Sequence, residues 1–378
     1  MEHLLSEEQR LLQESAERYV RDAYGFEARQ ALVRSPDGFS RDNWRQFAEL
    51  GWLGVAVPED LGGIGGSTAE LALLMEAFGK GLVVEPFLAT VVLCGHLLER
   101  TAGEGPNALL QEMLAGDRLL ALAHGEPQSR HCLWDVATTA TSSGGGFRLD
   151  GTKSLVFGGE AADTLIVSAR SAEGRFSEDG ISLFLVDPTA PGVTRRGFRT
   201  QDGHRAAEVI FDDVAAGYDA VLGSLDAAFS LIEAAVDRAM VLLCAEAVGA
   251  MEAAVEMTGE YLKTREQFGR PIGNFQVLQH RLVEMYMAHQ MTRALVFRAA
   301  AVWDGLDESE RRRTAAAVKA QTGKAARLVG QEAVQLHGGM GMTDEMAVGH
   351  YFKHLTMIDA PYGNAAYHLT RFAEEAGL

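Results

Sequence analysis

The sequence predicts an α+β protein in three consecutive parts: an N-terminal helical domain over 1–120, a middle antiparallel, barrel-like β domain over 121–224, and a C-terminal helical bundle of four-helix type over 225–378. Three observations predict it. Apolar residues recur at helical spacing through the first third; short β-branched runs cut by Gly, Pro and Asp fill the middle; long stretches rich in Ala, Leu, Met, Glu and Arg follow to the end.

The first helix is marked by Leu4, Leu5, Leu11, Leu12, Ala16 and Tyr19 on one stripe. Ser6 stands where an N-cap belongs, and Glu7 and Glu8 fill the first turn, where carboxylates meet unpaired N–H groups. Helix is interrupted over 57–66, where Gly62, Gly63, Gly65 and Gly66 demand backbone angles no helix uses. In the middle part, 164–168 and 181–186 read as strands, 142–151 as a hairpin crossing, and 212–214 as the exit of a late strand. Beyond it, 226–264, 275–305 and 309–336 each repeat apolar residues with helical period, which predicts a bundle.

Composition narrows the function. With 47% apolar and 23% charged residues over 378 positions, the chain folds and buries a sizeable core. Lys and Arg number 34 against 52 Asp and Glu, a net charge of −18, which argues against a nucleic-acid partner and requires local arginines wherever an anion binds. Cys94, Cys132 and Cys244 lie far apart with no zinc-ligand spacing, so neither a disulfide framework nor a metal site is expected. No run of 18 apolar residues exists and the amino terminus is acidic and amphipathic, so the expectation is a cytoplasmic chain not inserted in a membrane.

Two segments are dense in residues that chemistry uses. Arg265-Glu266-Gln267-Phe268-Gly269-Arg270-Pro271-Ile272-Gly273-Asn274-Phe275-Gln276 joins two predicted helices. It reads equally as a connector with a solvated arginine or as a grip for a phosphate, with glycines that let backbone approach a ligand. Gln335-Leu336-His337-Gly338-Gly339-Met340-Gly341-Met342 reads first as an elaborate helix C-cap, and second as open backbone that can press against a ring or phosphate.

Together, RxQFGxPI with a following FQ and a QxxGGxG about sixty residues later resemble the acyl-CoA dehydrogenase family, and the helix–β–helix order agrees over the whole chain. The opening EEQRLLQES, PEDLGGIGG, EPFLATVV and QLHGGMGMTDEMAVGHYFKHLTMID look most like the small-subunit branch associated with pimeloyl-CoA-type dehydrogenases. The resemblance implies FAD between the β domain and the bundle, an acyl-CoA substrate, and electron-transfer flavoprotein as acceptor. It also implies a site shared between chains, hence a homo-oligomer or a hetero-oligomer with a large subunit. Carried over by position, Arg265, Gln267 and Phe268 contact FAD with Gln276 nearby, and Gln335, Gly338 and Gly339 contact its diphosphate end.

Three departures bear on catalysis. The family's flavin-facing TEPxxGSD stands here as Gly125-Glu126-Pro127-Gln128-Ser129-Arg130, and its WIT segment as Leu155-Val156-Phe157, so the indole and the hydroxyl are replaced and backbone groups must supply the flavin contacts. The family's usual glutamate base falls on Tyr362, a phenol with an ordinary pKa near ~10. Some members place the glutamate on the helix before RxQFG, just ahead of an arginine; here that position is Asp237, followed by Arg238. Tyr362 is then a pocket wall or a proton donor in altered chemistry. Three functions follow: α,β-dehydrogenation of an acyl-CoA, a catalytically incomplete partner subunit of a heteromer, or altered flavin chemistry of the oxidase, monooxygenase or desulfinase kind.

Overall fold

A computed structural model describes residues 5–101, 103–172 and 174–378. Its first helices are α1 (Glu7–Ala23), α2 (Phe26–Arg34), α3 (Arg41–Glu49), α4 (Thr68–Gly81), α5 (His96–Glu99) and α6 (Glu104–Leu114). After the strands come α7 (Phe229–Thr264), α8 (Gln276–Val302), α9 (Glu308–His337), α10 (Ala347–Asp359) and α11 (Ala365–Glu375). The contacts divide the chain into two compact units: Met1–Ala31, Ser67–Val83 and Met240–Leu378 form one, and Leu32–Gly66 and Val84–Ala239 the other.

In the first unit, helix starts follow the caps written in the sequence. Ser6 accepts from Gln9 N while the Gln9 side chain returns to Ser6 N, and Asp307 does the same with Glu310 at the head of α9, each pair satisfying two orphan N–H groups. Glycine permits the close crossing of α4 and α7: a Cβ on Gly79 of α4 would lie 1.8 Å from Glu246 O, and one on Gly249 of α7 would lie 1.8 Å from Glu76 O. At that crossing Glu76, 1% exposed, accepts two bonds from the Arg293 guanidinium at 2.6 and 3.2 Å.

The second unit holds the sheet. Its strands are β1 (Leu120–Ala123), β2 (Thr139–Ser143), β3 (Gly146–Phe157), β4 (Thr164–Arg170), β5 (Ile181–Val186), β6 (Val193–Arg199), β7 (Arg205–Gly217) and β8 (Val221–Leu222). Their order is β6-β7-β3-β2-β4-β5-β8, with β1 beside β4. Most pairs are antiparallel, and β2 and β3 close the expected hairpin through Gly144 and Gly145, both at positive φ. Two pairings differ from the purely antiparallel expectation: β1 and the start of β2 run parallel to β4, because long connections return each to the same edge. The 212–214 segment is also not a strand exit; β7 continues to Gly217, with Asp213 at φ 52 absorbing an irregularity. Apolar side chains of Leu149, Leu165, Val167, Phe184, Val209 and Phe211 fill the core of this sheet.

Candidate functional site

In the first unit, α7 ends at Thr264 and the chain reverses in a two-strand ribbon, β9 (Glu266–Gln267) against β10 (Arg270–Pro271). Both central residues of its turn have positive φ, 56° at Phe268 and 75° at Gly269, the turn form whose twist matches a hairpin. The turn thrusts Phe268 outward. It is 89% exposed, edge-on to Phe275 at 5.9 Å, with the Arg270 guanidinium 4.2 Å from the Phe275 ring. Arg265, Gln267 and Gln276 are exposed on the same connection, and the Gln267 amide donates to Glu266 O at 2.9 Å.

The second glycine-rich segment ends α9. His337 donates Nδ1–H to Ala333 O at 2.8 Å and stacks on Tyr261 of α7 with ring centroids 4.4 Å apart. That stack joins the end of α9 to the last turns of α7. His337 is a buried packing residue of this junction. Gly338, at φ 61, and Gly339 are exposed, and a Cβ on either, or on Gly269, would meet nothing within 4 Å.

These residues fit FAD. Open glycine backbone lets a diphosphate approach, the exposed ring of Phe268 offers a face to an aromatic system, and the amides of Gln267, Gln276 and Gln335 offer polar partners. Both helices present C-terminal ends, which carry partial negative charge and repel an anion. An anion bound there would need a positive charge, and Arg265 is exposed on this connection in a chain that is acidic overall.

Tyr362 lies in the turn between α10 and α11, half-buried, at φ 59. A left-handed backbone disfavours a residue of its bulk. Its carbonyl accepts from His368 Nε2 at 2.9 Å.

The second unit carries the other candidates. Asp237 and Arg238 sit in the early turns of α7, 2% and 6% exposed. Successive helix positions do not face each other, and Arg238 turns toward α5, where its Nη1 lies 3.0 Å from His96 Nδ1 and 3.4 Å from Glu99 Oε1. His96 and Glu99 are themselves 2.6 Å apart, and burial pulls the His96 pKa down.

The segments that replace the flavin-facing motifs are tied together by a cluster the sequence reading missed. Lys153, 0% exposed, donates to Glu126 Oε1 at 2.7 Å, Ser168 Oγ at 3.0 Å and His124 O at 3.2 Å, while His124 Nδ1 lies 2.9 Å from Ser168 Oγ. Glu126 also accepts from Ala137 N at 2.8 Å and Thr138 N at 2.9 Å. Burial opposes ionisation of Glu126, but the Lys153 charge and these hydrogen bonds outweigh it and hold the carboxyl at about 2. Burial, reinforced by the Lys153 charge, lowers His124 to about 3 and keeps it neutral. Ser154 N donates to Gly125 O at 2.8 Å, and the bulge that follows places Leu155 at φ 51. A lysine alternating with apolar positions in a strand was the available signal.

Among the described residues no helix is long and apolar enough to cross a membrane. Profiles of the acyl-CoA dehydrogenase N-terminal, middle and C-terminal domains match residues 6–117, 121–214 and 229–377. Human mitochondrial short-chain specific acyl-CoA dehydrogenase is 28% identical over 318 residues, covering 82% of this chain and 76% of that protein. Isovaleryl-CoA dehydrogenase of Pongo abelii is 27% identical, covering 96% and 86%. Among solved structures, butyryl-CoA dehydrogenase of Megasphaera elsdenii superposes with a TM-score of 0.91 at 26% identity, covering 99% of each chain. The FAD complex of PigA gives 0.91 at 25%, covering 99% and 98%. The ChsE4–ChsE5 complex of Mycobacterium tuberculosis gives 0.87 at 27%, covering 100% and 99%. With all three domain profiles in order along one chain, the protein belongs to the acyl-CoA dehydrogenase family and is an FAD-dependent oxidoreductase.

Proposed function

We propose that the chain catalyses α,β-dehydrogenation of an acyl-CoA thioester to the 2-enoyl-CoA, with Asp237 as the base. The observation that carries this reading is the buried carboxylate at 237, 2% exposed, in a chain whose other base position holds a phenol. A carboxylate is ionised at neutral pH; a phenol with a pKa near ~10 is not. Asp237 takes a proton at a carboxylate oxygen from the carbon next to the thioester carbonyl. Arg238, held by Glu99 and His96, keeps a positive charge beside that helix turn. FAD, when bound, supplies the acceptor for the hydride that leaves the neighbouring carbon. Arg265 would meet its diphosphate and Phe268 would offer a face to a ring, with Gln267, Gln276, Gln335 and the Gly338–Gly339 backbone completing the grip. Electron-transfer flavoprotein is the proposed acceptor beyond FAD. Anaerobic addition of butyryl-CoA and octanoyl-CoA to the FAD-loaded chain, followed in the visible spectrum, tests the reading: flavin bleaching supports it, and an unresponsive flavin with every thioester offered overturns it.

A second reading is favoured by Tyr362 itself. The chain is then the small, pimeloyl-CoA-type subunit of a heteromer whose large subunit provides the missing glutamate, an arrangement consistent with its likeness to a chain of the ChsE4–ChsE5 complex. Co-purification with a large subunit, and turnover only in its presence, would separate this from the self-sufficient enzyme.

A further inference from the structure

Tyr362 sits in a turn whose backbone is over-determined by buried side chains. Lys319 of α9 is 0% exposed, and its ammonium donates to Ile358 O at 2.9 Å, Asp359 O at 3.0 Å and Gly363 O at 2.9 Å. All three of its protons are used. Two of those acceptors close α10, where unpaired carbonyls form the negative end of the helix. His368, also 0% exposed, donates to Tyr362 O at 2.9 Å, and Asp359 Oδ1 accepts from Ala365 N at 3.0 Å. Beneath the turn α9 passes so closely that a Cβ on Gly323 would lie 2.1 Å from Asp359 Oδ1.

The fold by itself does not need this device. A helix such as α10 closes at less cost on a glycine in the left-handed region, with an apolar residue beneath it in place of a desolvated ammonium. Here the left-handed conformation begins on Tyr362, at φ 59, and only then passes to Gly363, at φ 106. A bulky residue persists in such a conformation where its surroundings enforce it, and enforced strain of this kind gathers where ligands are handled.

We propose that Lys319 is a positioning residue: its ammonium locks the α10–α11 turn so that Tyr362 is held in a fixed, disfavoured conformation as a wall against the acyl thioester. The proposal rests on the reading of position 362 given above and adds the group that sets its geometry. A wall displaced by about 1 Å costs on the order of ten- to a hundredfold in productive binding.

The test uses the FAD-loaded full chain, amide hydrogen exchange over residues 360–365, and calorimetric titration with butyryl-CoA and octanoyl-CoA. Lys319→Met is expected to speed exchange in that turn and to weaken thioester binding tenfold or more with FAD retained, while Lys319→Gln, which keeps amide donors, restores part of both. Tyr362→Gly is expected to weaken binding equally but to leave exchange of the turn slow, because Lys319 and His368 still hold it. Unchanged exchange in Lys319→Met, or wild-type thioester affinity in Tyr362→Gly, overturns the proposal; if Lys319→Met does not fold, Lys319→Gln takes its place, and wild-type exchange and wild-type affinity in that variant overturn the proposal. Wild-type chain that binds neither thioester removes the dehydrogenase reading and the wall with it, whatever the exchange shows.

Discussion

Replacing Lys153 by Met is the most informative single change in the β domain. It removes a fully buried ammonium and three hydrogen bonds, and leaves the Glu126 carboxylate, whose side chain is 2% exposed, without its counter-charge. Breaking a buried pair from one side costs about 3–5 kcal/mol. Glu126 keeps its bonds from Ala137 N, Thr138 N and the Gln128 amide, which places the expected loss near the lower limit, about 3 kcal/mol. Set against a typical net stability of about 5–15 kcal/mol, that loss is readily measured. Urea denaturation followed by circular dichroism reads it, provided the slope m is unchanged so that the same transition is compared. Adding Glu126→Gln to Lys153→Met removes the stranded charge, so the double variant is expected to be more stable than Lys153→Met alone. A loss below about 1 kcal/mol, or a double variant that simply adds the two single costs, would refute the account of Lys153 as the counter-charge of a dry carboxylate.

Four further outcomes are expected. Asp237→Asn, with FAD retained, lowers flavin reduction by acyl-CoA by about 10²–10⁴-fold, read by stopped-flow bleaching; undiminished turnover removes Asp237 as the base. Arg265→Ala weakens FAD by about ten- to a hundredfold in equilibrium dialysis, from the loss of a charged hydrogen bond of about 1.5–3 kcal/mol, and equal affinity would place the diphosphate elsewhere. On the acid side, His124 and Glu126 both bind protons less readily in the folded chain than in the unfolded one. Stability is therefore full above the ordinary His value of 6.5, falls as pH drops toward about 3 on account of His124, and falls further from 4.5 toward about 2 on account of Glu126. A denaturation midpoint that is flat from pH 7 to pH 4 would contradict this. Gly249→Ala pushes a Cβ onto the Glu76 carbonyl 1.8 Å away and is expected to cost about 1–3 kcal/mol by calorimetry; a neutral result would mean that the α4–α7 crossing yields.

Much of this protein is local, and local features are legible. The N-cap at Ser6 with Glu7 and Glu8, the glycine break at 57–66, the hairpin over Ser142–Gly146 and the three long helices each depend on neighbours within a few residues, where backbone propensity and capping decide the outcome. The pairing of RxQFG with QxxGGxG is legible too, because glycine, proline and arginine at fixed spacing leave few alternatives. The parallel seat of β1 and β2 against β4 was not legible, since strand register across the sheet is settled by long-range packing of the apolar faces.

The sequence by itself determined the helix–β–helix order, the family, and the identities at 237 and 362 that make the base an open chemical question. Only the tertiary structure decided which groups act on one another. It stacked His337 on Tyr261, gave Arg238 to Glu99 and His96, and sank Lys153 beside Glu126. It also set Lys319 under the turn that carries Tyr362. For the three buried cations the physical reason is common: a buried polar group must find its partner, and that partner lies wherever folding brings it, at no separation that a sequence pattern records.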